Sequence, residues 1–109
     1  MVNVAQEVKF AQGMVDRRRQ TVDAIGFESS KGEAMDNFRS MLVCLKECEK
    51  HHNNVMVNIS DETAGAGVET SALVDYSRKW VAQAEHNLRT VWEVSDLRIE
   101  DARRGLGLL

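Results

Sequence analysis

Apolar residues recur along the chain at alternating steps of three and four, the spacing of helices that bury one face. The pattern predicts three helices in a single domain that covers residues 1–109. We expect them over residues 2–25, 31–59 and 70–104. In the third helix the apolar row is expected to comprise Leu73, Ser77, Trp80, Ala84, Leu88, Val91, Ser95, Arg98 and Ala102.

Two glycine-containing stretches separate these helices. Gly26 is placed to end the first helix in the left-handed conformation that glycine adopts easily. Ser30 and Glu33 have the spacing of a capping box, which predicts that the second helix begins there. Residues 60–69 are small, polar and interrupted by glycine, so we expect a loop, which serves either as a contact surface or as a connector.

The alternating steps average 3.5 residues, the spacing of coiled-coil-like packing. The expected fold is therefore an all-α, antiparallel three-helix bundle with a long C-terminal helix. At 1.5 Å per residue the first helix spans about 36 Å and the third about 50 Å. The third helix is then expected to extend beyond the other two. A homodimer, or a helical partner, would cover its wide apolar face, whereas a monomer would leave that end exposed.

Composition narrows the class of protein. The chain has 109 residues, no proline, 43% hydrophobic residues and a net charge of -3, which favours a helical globular domain over a disordered chain. The acidic balance argues against a nucleic-acid partner. No targeting segment and no apolar run of about 18 residues is visible, so we expect no membrane partner. The expected location is the cytoplasm, of a cell or of an infected host.

Three aromatic residues of the third helix are candidate partner contacts. Tyr76 and Trp80 lie near the apolar row, and Trp92 lies at its edge. Tyrosine and tryptophan are frequent anchors of protein interfaces. The alternative is that these rings belong to the core.

Two polar residues fall on the apolar rows. Arg18 lies on the row of the first helix and His52 on that of the second. A polar residue in a seam more often fixes helix register than performs catalysis. For His52 the alternative is a pH-sensitive assembly, because imidazole titrates near neutrality.

Four neighbouring residues suggest a metal site: Cys44, Cys48, His51 and His52. A closed zinc site needs four ligands at suitable spacing, and Cys44 and His51 lie about 10 Å apart along the helix axis. We therefore favour two packed thiols, an exposed His51 and a seam His52, with no metal. A metal-binding bundle that also uses His86 is the minor alternative.

The sequence contains no phosphate-binding loop, nucleophile elbow or di-iron motif, so we expect neither an enzyme nor a cofactor. The expected function is a small acidic helical interaction module that binds a protein partner stoichiometrically, as an adaptor, chaperone or inhibitor. In type alone, without a shared motif, it resembles the small acidic chaperones of secretion systems and small phage proteins that block host machinery. The alternative is a structural subunit of a larger helical assembly.

Overall fold

The computed structural model describes residues 3–23 and 27–107, and for residues 20–23 it describes the backbone alone. Within these residues all regular structure is helical, which confirms the predicted all-α class. The helices are α1 (Val4–Asp23), α2 (Lys31–Val57), α3 (Ala64–Thr90) and α4 (Asp96–Gly105), with a 3-10 turn, Asp61–Thr63, before α3.

The second helix follows its sequence signals closely. The Ser30 side chain accepts a hydrogen bond from the Glu33 backbone N–H at 3.1 Å, so the predicted start is confirmed. The helix ends at Val57, two residues before the predicted end. Gly26, the expected end of the first helix, lies outside the described residues.

The helices pack as a bundle in which α2 contacts α1, α3 and α4. The α1 and α2 helices are antiparallel, because Cys48 lies near Ala11 and His51 lies near Glu7. The core contains the apolar rows of all four helices. Its largest fully buried side chains are Phe38, Met35, Met41, Leu42 and Ile99.

The predicted loop over residues 60–69 is wrong, because α3 begins at Ala64. Gly67, which suggested a loop, is a site of close packing between helices. A Cβ atom added there would lie 2.9 Å from Ile59 Cδ1 and 3.0 Å from Met56 Sδ. A side chain at this position would therefore displace the ends of the Ile59 and Met56 side chains, which pack against the glycine.

The predicted third helix over residues 70–104 is also wrong, because it is broken at residues 91–95. Glu93 adopts a left-handed conformation with a φ of 54°. Ser95 then caps α4 by accepting a hydrogen bond from the Arg98 N–H at 3.3 Å. An ion pair of 2.6 Å between Arg89 and Asp96 joins the two helices across the break.

The break changes which face of the C-terminal segment is buried. Val94 and Ile99 lie in the core, whereas Val91, Ser95 and Arg98, which the uninterrupted row placed there, are exposed. Arg103 pairs with Glu85 of α3, and Lys46 Nζ donates to the Leu106 carbonyl at 2.9 Å. The helix α4 therefore folds back onto the bundle. Since α2 and α3 both have 27 residues, the overhanging helix is absent.

The bundle is elongated, with extents of 48 × 25 × 18 Å. Its radius of gyration is 15.2 Å, against about 13 Å for a compact chain of this length. None of the described helices has the length and apolar character needed to cross a bilayer.

Candidate functional site

Two of the three predicted contact aromatics lie side by side on α3. The ring centroids of Tyr76 and Trp80 are 6.5 Å apart, and Lys79 Nζ lies 6.0 Å from the Tyr76 ring. Tyr76 is 55% exposed, whereas Trp80 is half-buried against the core. This geometry leaves an aromatic platform that is anchored at one side and open to solvent at the other.

The platform continues an apolar row along the outside of α3. Val68, Ala72, Tyr76 and Trp80 follow one another at intervals of four residues, so each lies beside the next on the helix surface. Val68 is 72% exposed. We call this row, together with Met56 of α2 and Ile59 just after α2, the α2–α3 surface.

A groove of about 560 Å³ lies within the α2–α3 surface, between the end of α2 and the start of α3. Met56, Ile59 and Val68 line it, and Gly67 lies at its floor, where the absent side chain leaves room. Among the described residues that line it, Asp75 is the only one with a carboxylate, and it pairs with Arg78 at 3.7 Å. The groove is therefore mainly apolar and suits an apolar side chain.

Trp92, the third predicted aromatic, is not part of this surface. It follows the end of α3, where it is half-buried against the core and lines a small cavity with Phe38, Ala84 and Leu88. Its indole Nε1 is buried and has no hydrogen-bond partner among the described residues. The position is that of a packing residue at the break between α3 and α4.

His52 lies in the seam between α2 and α3. Its Nδ1 is 2.8 Å from the hydroxyl oxygen of Thr70, which is itself fully buried. The Thr70 hydroxyl also approaches the Ala66 carbonyl at 3.0 Å, inside its own helix. The pair joins α2 to α3 within the seam, and a role of His52 in helix register stays a prediction.

His51 is not exposed, contrary to the expectation from sequence. Its side chain is 13% exposed and its Nδ1 is hydrogen-bonded to the carboxylate of Glu7, whose side chain is 14% exposed. Asn54 donates to the same carboxylate at 3.4 Å, and the Phe10 ring lies 5.6 Å from the imidazole. His51 lies on the side of α2 that faces α1, so its imidazole is enclosed between the two helices.

Loss of the Glu7 carboxylate is expected to destabilise the fold. Glu7→Gln should lower the free energy of unfolding by about 2 kcal/mol, because removing one partner leaves the other poorly solvated. Urea denaturation measures the change, with Glu100→Gln on the exposed face of α4 as the control. A double-mutant cycle compares Glu7→Gln, His51→Gln and the variant with both changes. If the cycle shows no coupling energy, the pair contributes nothing to stability.

The two cysteines face the core as expected, as free thiols. Ser77 Oγ lies 3.9 Å from Cys44 Sγ and 3.7 Å from Cys48 Sγ. A hydrogen bond with Cys48 outweighs burial and, with Ser77 and the charge of Arg18, lowers the pKa of the Cys44 thiol to about 7. The same bond and burial raise the pKa of the Cys48 thiol.

Burial is expected to decide the reactivity of both thiols. Cys44 is 1% exposed and Cys48 is 0% exposed, so a reagent must wait for the core to open even where Cys44 ionises readily. Iodoacetamide at pH 8 should label the native thiols at least ~100-fold more slowly than thiols in urea. A cysteine placed at the exposed Gln83 should label at the unhindered rate. Native labelling within a few-fold of the unfolded rate would contradict this core.

Arg18 lies between the core and the surface. It is half-buried, and its Nε is buried without a hydrogen-bond partner among the described residues. Its side chain borders a groove between α1, α2 and α4. Arg18 therefore has no acidic partner among the described residues, and its role in helix register stays a prediction.

The four residues of the suggested metal cluster point to different neighbours. The cysteines face Ser77, His51 faces Glu7 and His52 faces Thr70. Within residues 3–23 and 27–107, no three or more histidine, cysteine, aspartate or glutamate side chains are arranged to hold a metal ion. The polar groups of this region instead join one helix to the next.

Comparison of the chain with protein-family models, with curated proteins and with solved structures finds no match.

Sequence reasoning missed Met56 and Val68 as parts of the surface. By helical spacing Met56 lies beside the apolar row of the second helix, and Val68 falls within the predicted loop over residues 60–69. The signal in the sequence is the regular interval of four residues from Val68 to Trp80. This interval indicates a helix face only if the helix already includes Val68. Glu7 carried no signal, since its partner lies 44 residues away in the sequence.

Proposed function

We propose that this protein is a small helical interaction module that binds protein stoichiometrically and forms a homodimer through the α2–α3 surface. The observation that carries the proposal is the row of apolar side chains on α3, with Val68 72% exposed beside an apolar groove. Exposed apolar side chains that adjoin one another favour a protein contact over solvent. Isolated ones would need no such explanation.

The arrangement of Val68 and the groove favours a second copy of the chain as the occupant. A twofold symmetric contact brings the same patch of both subunits together, so the patch must complement itself. Here a protruding valine lies at the edge of a groove lined by Met56 and Ile59. In a symmetric pair the valine of each subunit enters the groove of the other, as knobs enter holes in packed helices.

The long face of the bundle is large enough for such a contact. A stable dimer buries about 800 Å² of each subunit. The molecule extends 48 × 25 × 18 Å, and its accessible surface totals 6576 Å², so such a contact would cover about an eighth of it. Tyr76 and Trp80 extend the contact beyond the groove and supply the aromatic anchors that stabilise interfaces most strongly.

The polar groups of the core support binding rather than turnover. Glu7, His51, His52 and the two thiols all contact neighbouring helices, and none of them borders the α2–α3 groove except His52. That histidine is engaged with Thr70. Ser71 and Asp75 also line the groove, but neither forms a hydrogen bond with His52 among the described residues, so we assign the groove to apolar contact.

One argument for self-association no longer applies. The predicted overhanging helix would have favoured a polymerising subunit, but α4 folds back onto the bundle. The adaptor, chaperone or virus-encoded inhibitor remain hypotheses about the same module, with the cytoplasm as its expected location. The first test is the solution mass, which should equal twice the chain mass of 12.3 kDa.

A further inference from the structure

A second groove lies across α2 and shares no residue with the α2–α3 surface. It has a volume of about 600 Å³ and is bounded by α1 on one side and α4 on the other. Ser40 and Val43 of α2 form part of its lining, and Leu106 closes part of the α4 side. We call it the arginine groove.

Three arginines from three different helices line the arginine groove: Arg18 of α1, Arg39 of α2 and Arg98 of α4. The groove contains one carboxylate, Asp101, which pairs with Arg104 at 3.6 Å. The positive charge is local, because the chain as a whole carries a net charge of -3. An excess of positive charge in one groove of an acidic protein favours an anionic ligand.

The ion pairs and hydrogen bonds of these arginines also favour an anionic ligand. Arg39 pairs with Asp36 at 3.2 Å, but neither Arg18 nor Arg98 has an ion-pair partner among the described residues. The Arg18 Nε–H is in addition buried without an acceptor. Since buried donors are nearly always satisfied, an acceptor supplied by a ligand would complete the site.

We propose that the arginine groove binds a phosphate-bearing anion with at least two negative charges. Guanidinium groups present planar pairs of N–H donors that match the oxygens of a phosphoryl group. The Ser40 hydroxyl adds a neutral donor, and Val43 and Leu106 add aliphatic surface for the rest of the ligand. None of the described residues that line the groove is aromatic, so the phosphoryl group rather than a stacked base is the recognised part.

Titration calorimetry with pyrophosphate at low ionic strength tests the proposal. We expect a single saturable site, and Arg98→Gln, at an exposed position, should weaken the affinity about tenfold. Arg78→Gln removes the same charge from an exposed arginine outside the groove and should leave the affinity unchanged. Arg18→Gln should also weaken binding, with circular dichroism used to establish that the variant is folded.

Three results would overturn the proposal. The first is the absence of saturable binding by the intact protein. The second is an equal loss of affinity in Arg78→Gln and Arg98→Gln, which would indicate general charge attraction. The third is equal affinity for citrate at matched ionic strength, since the site would then not prefer phosphate. If pyrophosphate still binds with the same affinity after the proposed dimer contact at the α2–α3 surface is removed, the arginine groove acts independently of the proposed dimer.

Discussion

Ile99→Ala should lower the free energy of unfolding by about 3 kcal/mol, the usual cost of truncating a buried isoleucine. Ile99 is 1% exposed, because α4 turns back and inserts it into the core. In an uninterrupted third helix the same residue would lie near the exposed end, and its truncation would have almost no effect. Urea denaturation therefore distinguishes the two arrangements directly.

Leu97→Ala is the matched control for this experiment. Leu97 belongs to the same short helix but is 66% exposed, so its truncation should change stability by less than about 0.5 kcal/mol. Equal effects for the two variants would contradict the folded-back position of α4. A destabilisation confined to Ile99 would support it.

The break before α4 shows what a helical pattern cannot specify. The steps of three and four run on from α3 without interruption, although two late positions of the apolar row, Ser95 and Arg98, are polar. A turn at this point costs only a short interruption of backbone hydrogen bonds, while it brings Val94 and Ile99 into the core. Ser95 followed by Asp96 is a start signal for a helix, but it is weaker than the surrounding periodicity.

The second helix was predicted well because its signals are local. Ser30 and Glu33 lie three residues apart, and the apolar row from Ala34 to Cys48 keeps to alternating steps of four and three. By contrast, a glycine at position 67 is compatible both with a turn and with a close contact, so residue type alone does not distinguish the two. Only the presence of Ile59 and Met56 across the gap decides between the two.

The candidate site was predictable only in part for the same reason. Tyr76 and Trp80 are close in sequence, so helix geometry alone places them together. Arg18, Arg39 and Arg98 are far apart in sequence, and their common groove depends on how α1 and α4 pack on α2. Residue type suggested interface and seam roles, but the neighbours of each residue follow from tertiary packing.

Val68→Asp is expected to abolish the proposed dimer. The substitution places a carboxylate at the centre of the proposed apolar contact, where it would have no partner and would lose its hydration on association. The dissociation constant should rise at least ~100-fold, as for a central hot-spot residue. The monomer should fold normally, because Val68 is 72% exposed and an acidic residue is favourable near the start of α3.

Leu97→Asp is the control for the dimer experiment. It introduces the same charge at another exposed apolar residue near a helix start, outside the α2–α3 surface. Its dissociation constant should match that of the unmodified protein. If both variants dissociate equally, the effect arises from net charge, and the α2–α3 surface is not the interface.

The solution mass of the unmodified protein, measured by light scattering after size exclusion over a hundredfold concentration range, tests the central claim most directly. The proposed dimer predicts a mass of twice 12.3 kDa that stays constant across the range, and a mass of 12.3 kDa for Val68→Asp. A constant mass of 12.3 kDa for the unmodified protein would contradict self-association through the α2–α3 surface.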